Sequence, residues 1–243
     1  MKHNYKYWLY QPYKWLILIP FFFIETLIFT IYIFIASQIS HRLAFYGGVW
    51  WAKAMQWATP MPVNVIGREN ISKGQSYVIV SNHQSGSDIV AIYGSIGIQF
   101  RWILKKELRK ALLLGYACEK MQHIFIDRSS ARASYRSIQK AKEILTGGTS
   151  VVIFPEGTRS KTGEMGTFKH GAFKMAFELG LPILPITLNG THDVMSGGFD
   201  TLVWGKAEMI IHKPIDTMQY QNDRDKLIEV TRATISEGLH PIA

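Results

Sequence analysis

The 243-residue chain carries 27 Lys and Arg against 18 Asp and Glu, a formal net charge of +9, and 47% of its residues are hydrophobic. That size allows one large domain, with or without an appendage, and the basic excess suits an anionic partner such as nucleic acid, anionic lipid or a phosphorylated substrate. The single cysteine, Cys118, excludes an intrachain disulfide and any multi-cysteine metal cage.

The first sixty residues differ from the rest. From Trp15 to Ile39 only Glu25 is charged, and the run matches the roughly 20 residues that span a bilayer. No short apolar core ends in a small-residue cleavage site, so a cleaved leader is not expected. Pro20 interrupts helical hydrogen bonding and a carboxylate at Glu25 is disfavoured in hydrocarbon, so a plain span is the less natural reading. His41 to Thr59 adds Phe45, Tyr46 and three tryptophans. Five of the seven tryptophans fall in these sixty residues, the composition of an interfacial anchor. Lys2, Lys6 and Lys14 precede the apolar run and suit an anionic cytoplasmic leaflet. The expectation is a membrane-associated helical hairpin over residues 1–60 that dips into one leaflet from the cytoplasmic face, the inner membrane in a bacterium. A single spanning helix is the alternative.

After Thr59-Pro60-Met61-Pro62 the pattern changes to alternating β runs and helical stretches, placing an α/β domain over 61–243. Strands are predicted at Val63–Ile66, Tyr77–Val80, Phe100–Leu104, His123–Ile126, Val151–Phe154, Ile183–Leu188 and Glu208–His212. Helices are predicted from Ile89, from about Ser130 to Thr146 with Tyr135, Ile138, Ala141 and Leu145 on one face, from Lys169 to Leu179, and from about Asp223. This alternation predicts a mixed, largely parallel central sheet flanked by helices.

The polar residues fall at the ends of these β runs. His83, Lys105, Arg128 and the Glu156/Arg159 pair each follow a strand directly. In an open α/β sheet, ligands bind outside the carboxyl ends of the strands, so parallel strands would lift all of these groups into one crevice. His83 and Asp88 are five residues apart and meet only if the turn between them folds back, which Gly86 allows. A carboxylate on one imidazole nitrogen leaves the other free as a base. Gln84 to Ser87 then form the turn, with a backbone N–H available to an oxyanion. Arg159 can grip a phosphate bidentately while Lys105 and Arg128 add charge. Glu156 is either a local partner of Arg159 or an acceptor for a substrate hydroxyl. Gly157 permits close backbone approach to a ligand. Walker A, G-x-G-x-x-G, H-E-x-x-H and G-x-S-x-G patterns are absent, leaving direct transfer to a hydroxyl of a phosphorylated substrate as the simplest chemistry.

Asn82-His83-Gln84-Ser85-x-x-Asp88, Phe125-Ile126-Asp127-Arg128, Phe154-Pro155-Glu156-Gly157-Thr158-Arg159-Ser160 and Leu181-Pro182-Ile183-x-Pro185 resemble, in order, the four motifs of the glycerolipid acyltransferases. The resemblance covers about Val63 to Asn189. It implies that His83, paired with Asp88, deprotonates the 2-hydroxyl of lysophosphatidic acid, which attacks the thioester of acyl-CoA or acyl-carrier protein. It also implies that Glu156, Gly157, Thr158 and Arg159, with Arg128 and Lys105, hold the glycerol phosphate, and that Leu181 to Pro185 shapes the acyl side. The chain departs from the pattern at Gln122 and His123, where small residues are usual. A hydrophobic groove is required, with Ala111 to Ala117 or the second hairpin helix as candidate walls. The expected partners are membrane lipid and the acyl donor, not nucleic acid, with no metal or cofactor. The rival readings are acylation of glycerol 3-phosphate or another lysolipid, a non-catalytic protein that binds anionic lipid, and a metal site of His83, Asp88 and His123.

Overall fold

The computed structural model describes residues 5–127, 129, 130, 132, 139, 142, 144, 145 and 148–242. Arg128 and nearly all of the helix expected over Ser130–Thr146 lie outside the described residues.

Helix α1 runs from Tyr5 to Ile39 and is long and apolar enough to cross a membrane. Pro20 has no N–H to give the carbonyl four residues back. Just ahead of it the helix widens into a π turn over Lys14–Leu18, where the Ile19 N–H reaches the Lys14 carbonyl. Ser40, in extended conformation, ends the helix and its Oγ accepts the Arg42 amide at 3.1 Å, capping α2 (His41–Ala58). The two helices form the expected hairpin. Trp51 of α2 donates its indole N–H to Thr26 Oγ1 of α1 at 3.1 Å. Tyr13 donates to the Ala58 carbonyl at 2.7 Å, satisfying one of the orphan acceptors at the end of α2.

The described residues hold a seven-stranded sheet: β1 (Val63–Ile66), β2 (Val78–Ser81), β3 (Phe100–Lys105), β4 (Ile124–Ile126), β5 (Ser150–Ile153), β6 (Ile183–Asn189) and β7 (Ala207–Ile211). All seven were expected, with ends shifted by a residue or so. Their order is β1-β7-β6-β2-β5-β3-β4. Only β6 and β7 pair antiparallel, so β2, β3, β4 and β5 point the same way. The remaining described α-helices of seven residues or more are α3 (Ser87–Ser95), α4 (Leu114–Lys120), α5 (Gly171–Leu179) and α6 (Arg224–Glu237).

Both faces of the sheet are covered, and the central strands β2 and β6 are buried along their whole length. Alternation along β2 divides the two cores. Val78 and Val80 join Phe173, Ala176, Leu227 and Ile235 under α5 and α6. Ile79 joins a second core in which Ile92 and Phe100 meet Leu18, Ile33, Phe45 and Met55 of the hairpin. The hairpin therefore packs onto the sheet's helical layer. At Gly48 a methyl group would overlap the Tyr93 phenol of α3, so the missing Cβ sets that close approach. The opposite side of α1 is open: Leu16, Ile24, Ile28, Ile35 and Ile39 are all more than half exposed.

Candidate active site

At the end of β2 the Asn82 side chain exchanges two hydrogen bonds with the Leu188 backbone, at 2.8 and 2.9 Å, pinning the turn to β6. His83 follows. Asp88, the second residue of α3, is fully buried. Its Oδ2 accepts the Gln84 and Ser85 amides, each at 2.8 Å, and lies 2.8 Å from His83 Nδ1. The turn does fold back. Three contacts converge on one oxygen that already takes two N–H groups, so Nδ1 is the nitrogen that donates to it, and in the neutral imidazole Nε2 then carries the lone pair. The imidazole lies flat on the Phe154 ring, with centroids 3.8 Å apart and planes 7° apart. The amides of Gln84, Ser85 and Ser87 are committed to Asp88 and to Ser85 Oγ. None of these three is available to an oxyanion.

The loop after β5 holds the other side of His83. Glu156 Oε1 accepts the His83 amide and Oε2 accepts the Gly166 amide, both at 2.8 Å. The Ser160 amide donates to the His83 carbonyl at 2.8 Å. Glu156 is buried, and that burial raises its carboxyl above the ordinary range despite the two amides. It forms no ion pair with Arg159: each carboxylate oxygen accepts one backbone amide, which leaves each a further lone pair, and the residue borders the same polar hollow as Thr158 and Arg159. Gly157 turns at φ +77°, the left-handed region suited to glycine, and with Arg159 lines the cavity described below. Arg159 donates to the Gly197 carbonyl at 3.2 Å. Thr158 and Arg159 also border a shallow polar hollow of about 320 Å³.

Lys105, at the end of β3, is exposed and lines the same cavity as His83, Gly157 and Arg159. Of the predicted site, only Arg128 lies outside the described residues. Its neighbour Asp127 pairs with Lys106 at 2.9 Å on the surface.

From this polar rim a cavity of about 730 Å³ runs between the sheet and the hairpin. Trp51 and Met55 of α2 and Leu114 and Ala117 of α4 form part of its wall, as the sequence allowed. Phe22, Thr26, Phe29 and Ile33 of α1 form another part, which the sequence reading did not place there. Also unforeseen is the loop from β6 to β7, which joins anchor to site. Its Met195 and Gly197 carbonyls accept from Ser85 Oγ and Arg159. Its Phe199 ring meets Phe22 at 5.2 Å, and its Asp200 carbonyl accepts from Lys14 at 2.8 Å. Lys14 is buried there and does not face a leaflet. The only hint in sequence was the pair Gly197-Gly198.

His123, at the departure from the expected pattern, is also buried. Its Nδ1 accepts the Trp102 amide at 3.2 Å and its Nε2 faces the Tyr93 hydroxyl at 3.1 Å, while Tyr93 donates to Met121 Sδ. Burial, helped by the Arg101 guanidinium, pushes His123 down to about 3, so the ring is neutral. It is bonded away from Asp88. Among the described residues no group of three His, Cys, Asp or Glu side chains could hold a metal ion. Cys118 is buried too, which pushes its thiol up to about 12 and makes it a poor nucleophile.

Residues 62–189 match the Acyltransferase family. The chain is 37% identical over 179 residues to the chloroplastic 1-acyl-sn-glycerol-3-phosphate acyltransferase LPAT1 of Arabidopsis thaliana, covering 73% of this chain and 49% of that one. It is 28% identical over 197 residues to a 1-acyl-sn-glycerol-3-phosphate acyltransferase of Borreliella burgdorferi, covering 78% and 76%. The chain spans about half the length of the plant and algal relatives it matches. Among solved structures, the 1-acyl-sn-glycerophosphate acyltransferase PlsC of Thermotoga maritima superposes with a TM-score of 0.70 at 26% identity, over 89% of this chain and 95% of that one.

Proposed function

The chain belongs to the acyltransferase family, and on that premise we propose that it transfers an acyl chain from acyl-CoA or acyl-carrier protein to the 2-hydroxyl of lysophosphatidic acid, giving phosphatidic acid. One observation carries the reading. The free Nε2 of His83 sits where a cationic rim of Lys105 and Arg159 meets an apolar cavity of about 730 Å³.

In this mechanism Nε2 takes the hydroxyl proton as the oxygen attacks the thioester carbonyl. Asp88 orients the ring and balances the imidazolium. Collapse of the tetrahedral intermediate expels the thiolate, which takes the proton back from Nε2. Lys105 and Arg159, with Gly157, Thr158 and Arg128, bind the glycerol phosphate. Glu156 acts through backbone, fixing both the His83 turn and its own loop. No cofactor or metal takes part. Residues 1–60 serve as a hairpin anchor on the cytoplasmic face of the membrane, and residues 61–243 as the acyltransferase domain. The outward face of α1, with Leu16 77% and Ile39 75% exposed, supports burial in one leaflet.

Thin-layer chromatography of labelled products from a panel of acceptors tests the reading. Phosphatidic acid from lysophosphatidic acid is the expected product; turnover of glycerol 3-phosphate or another lysolipid alone would replace that acceptor. Lipid binding with no turnover of any acceptor would reduce the protein to a binder.

A further inference from the structure

The segment from β3 through α4 exposes apolar side chains, of which Leu112 and Leu113 lie outside the cavity wall. Leu112 is 89% exposed and Leu114 55%, with Leu113 between them also exposed. Leu113 holds a positive φ of 47°, a conformation rarely taken by a bulky residue, and it turns the chain within this run. Three consecutive exposed leucines are an anomaly on a water-facing surface and mark an interaction site.

The surroundings identify the partner. Residues 105–120 contain five basic and two acidic side chains. Lys106 and Arg109 are paired with Asp127 and Glu119, and Lys110 makes no ion pair among the described residues. The patch is also continuous with the open face of α1. The Tyr116 and Phe34 rings lie 6.0 Å apart, Lys120 Nζ sits over both, and His41 Nδ1 meets the Lys120 carbonyl at 3.1 Å. Leucines merging with an apolar helix face and fringed by lysines fit an anionic leaflet.

We propose that residues 106–116 form a second membrane-docking element, with Leu112 and Leu113 entering the leaflet that holds α1 and Lys110 meeting anionic headgroups. The proposal rests on the reading that α1 lies in one leaflet. Leu108 and Leu114 of the same segment line the cavity. Seating the outer face in lipid therefore puts a cavity wall at the bilayer and gives the lysolipid a lateral way in.

The full-length Leu112→Cys protein, labelled with an environment-sensitive fluorophore and mixed with phosphatidylglycerol/phosphatidylcholine vesicles, tests it. Leu112 contacts little that substitution could disturb, and unaltered protein reports any background from the buried Cys118. Blue-shifted emission protected from an aqueous quencher is expected. Lys110→Ala added to that variant should weaken protection about fivefold in anionic vesicles but not in neutral ones, as loss of roughly one lysine contact implies. A label that stays quenchable while the protein floats with the vesicles overturns the docking element and leaves the anchor intact; protein that does not float overturns both. Protection gained without vesicles, from added acyl-carrier protein or from raised protein concentration, would assign the patch to a protein partner or a second copy and overturn the proposal.

Discussion

In the crevice, His83 is fixed by two loops, 82–88 and 154–166, whose bonds are mostly between side-chain carboxylates and backbone amides at 2.8 Å. The cavity beside it has walls from four helices, the sheet and the β6–β7 loop, joined mainly by ring and methylene packing. Directional bonds hold one atom, Nε2, in place. Packing holds a volume, which changes smoothly when a side chain is exchanged. Substitutions in the crevice should therefore act on rate, and those in the cavity on which chain is accepted.

The sharpest break is at the base. His83→Ala should lower kcat by roughly 10²–10⁴ with little change in thermal unfolding, as measured by steady-state acyl transfer. Asp88→Asn should fall in the same range, because an amide oxygen can still accept the Gln84 and Ser85 amides but cannot balance an imidazolium. If either variant keeps near-normal kcat, the crevice is not the reacting centre.

Glu156→Ala comes next. It strips the acceptor from two backbone amides, at a stability cost of about 1–3 kcal/mol each. It should also let His83 drift, for a fall in kcat of about 10². Glu156→Gln keeps one acceptor and should recover part of both. An effect on KM for the phosphorylated acceptor with kcat intact would instead return Glu156 to direct substrate binding.

The difference between the regions also explains what could be read in advance. The strands were legible because each is a short β-branched and aromatic run ended by a turn residue, and parallel pairing then carried His83, Lys105 and Glu156 to one edge of the sheet. The His83–Asp88 contact was legible because both partners lie in a single turn. Glu156's two amide partners were not, since any residue supplies an N–H and the sequence pattern does not mark which one a fold presents. Nor was the placement of Phe22 and Phe29 in the cavity wall, because an apolar helix facing lipid and one facing an acyl cavity have the same composition. Lys14 looked like a leaflet contact for a similar reason: its acceptor, the Asp200 carbonyl, is far away in sequence.

Within the cavity, Ala117→Phe places a ring in space that an acyl chain would fill. Each displaced methylene is worth about 1 kcal/mol, so the ratio of long-chain to short-chain kcat/KM should fall about tenfold or more, with short-chain turnover retained. Equal loss for all donors would make the two regions a single unit.

The smallest expected effect concerns His123, which separates a structural histidine from a reacting one. It is held neutral at about 3, below its ordinary 6.5, by burial and by Arg101. Between those values the unfolded chain binds a proton that the folded chain refuses, so stability is lost as pH falls below about 6.5. At pH 5 this amounts to about 2 kcal/mol, taking 1.36 kcal/mol per unit. His123→Asn keeps an acceptor for the Trp102 amide and cannot titrate. It should be less stable than the parent at pH 7 because of the gap it leaves, yet lose less stability between pH 7 and pH 5 in denaturant titrations. Its kcat should stay within a few-fold of the parent, because the bonds to Trp102 and Tyr93 keep the ring in the wall and away from the crevice. A collapse of kcat with stability preserved would move His123 from the cavity's frame into the chemistry, and the division between the two regions with it.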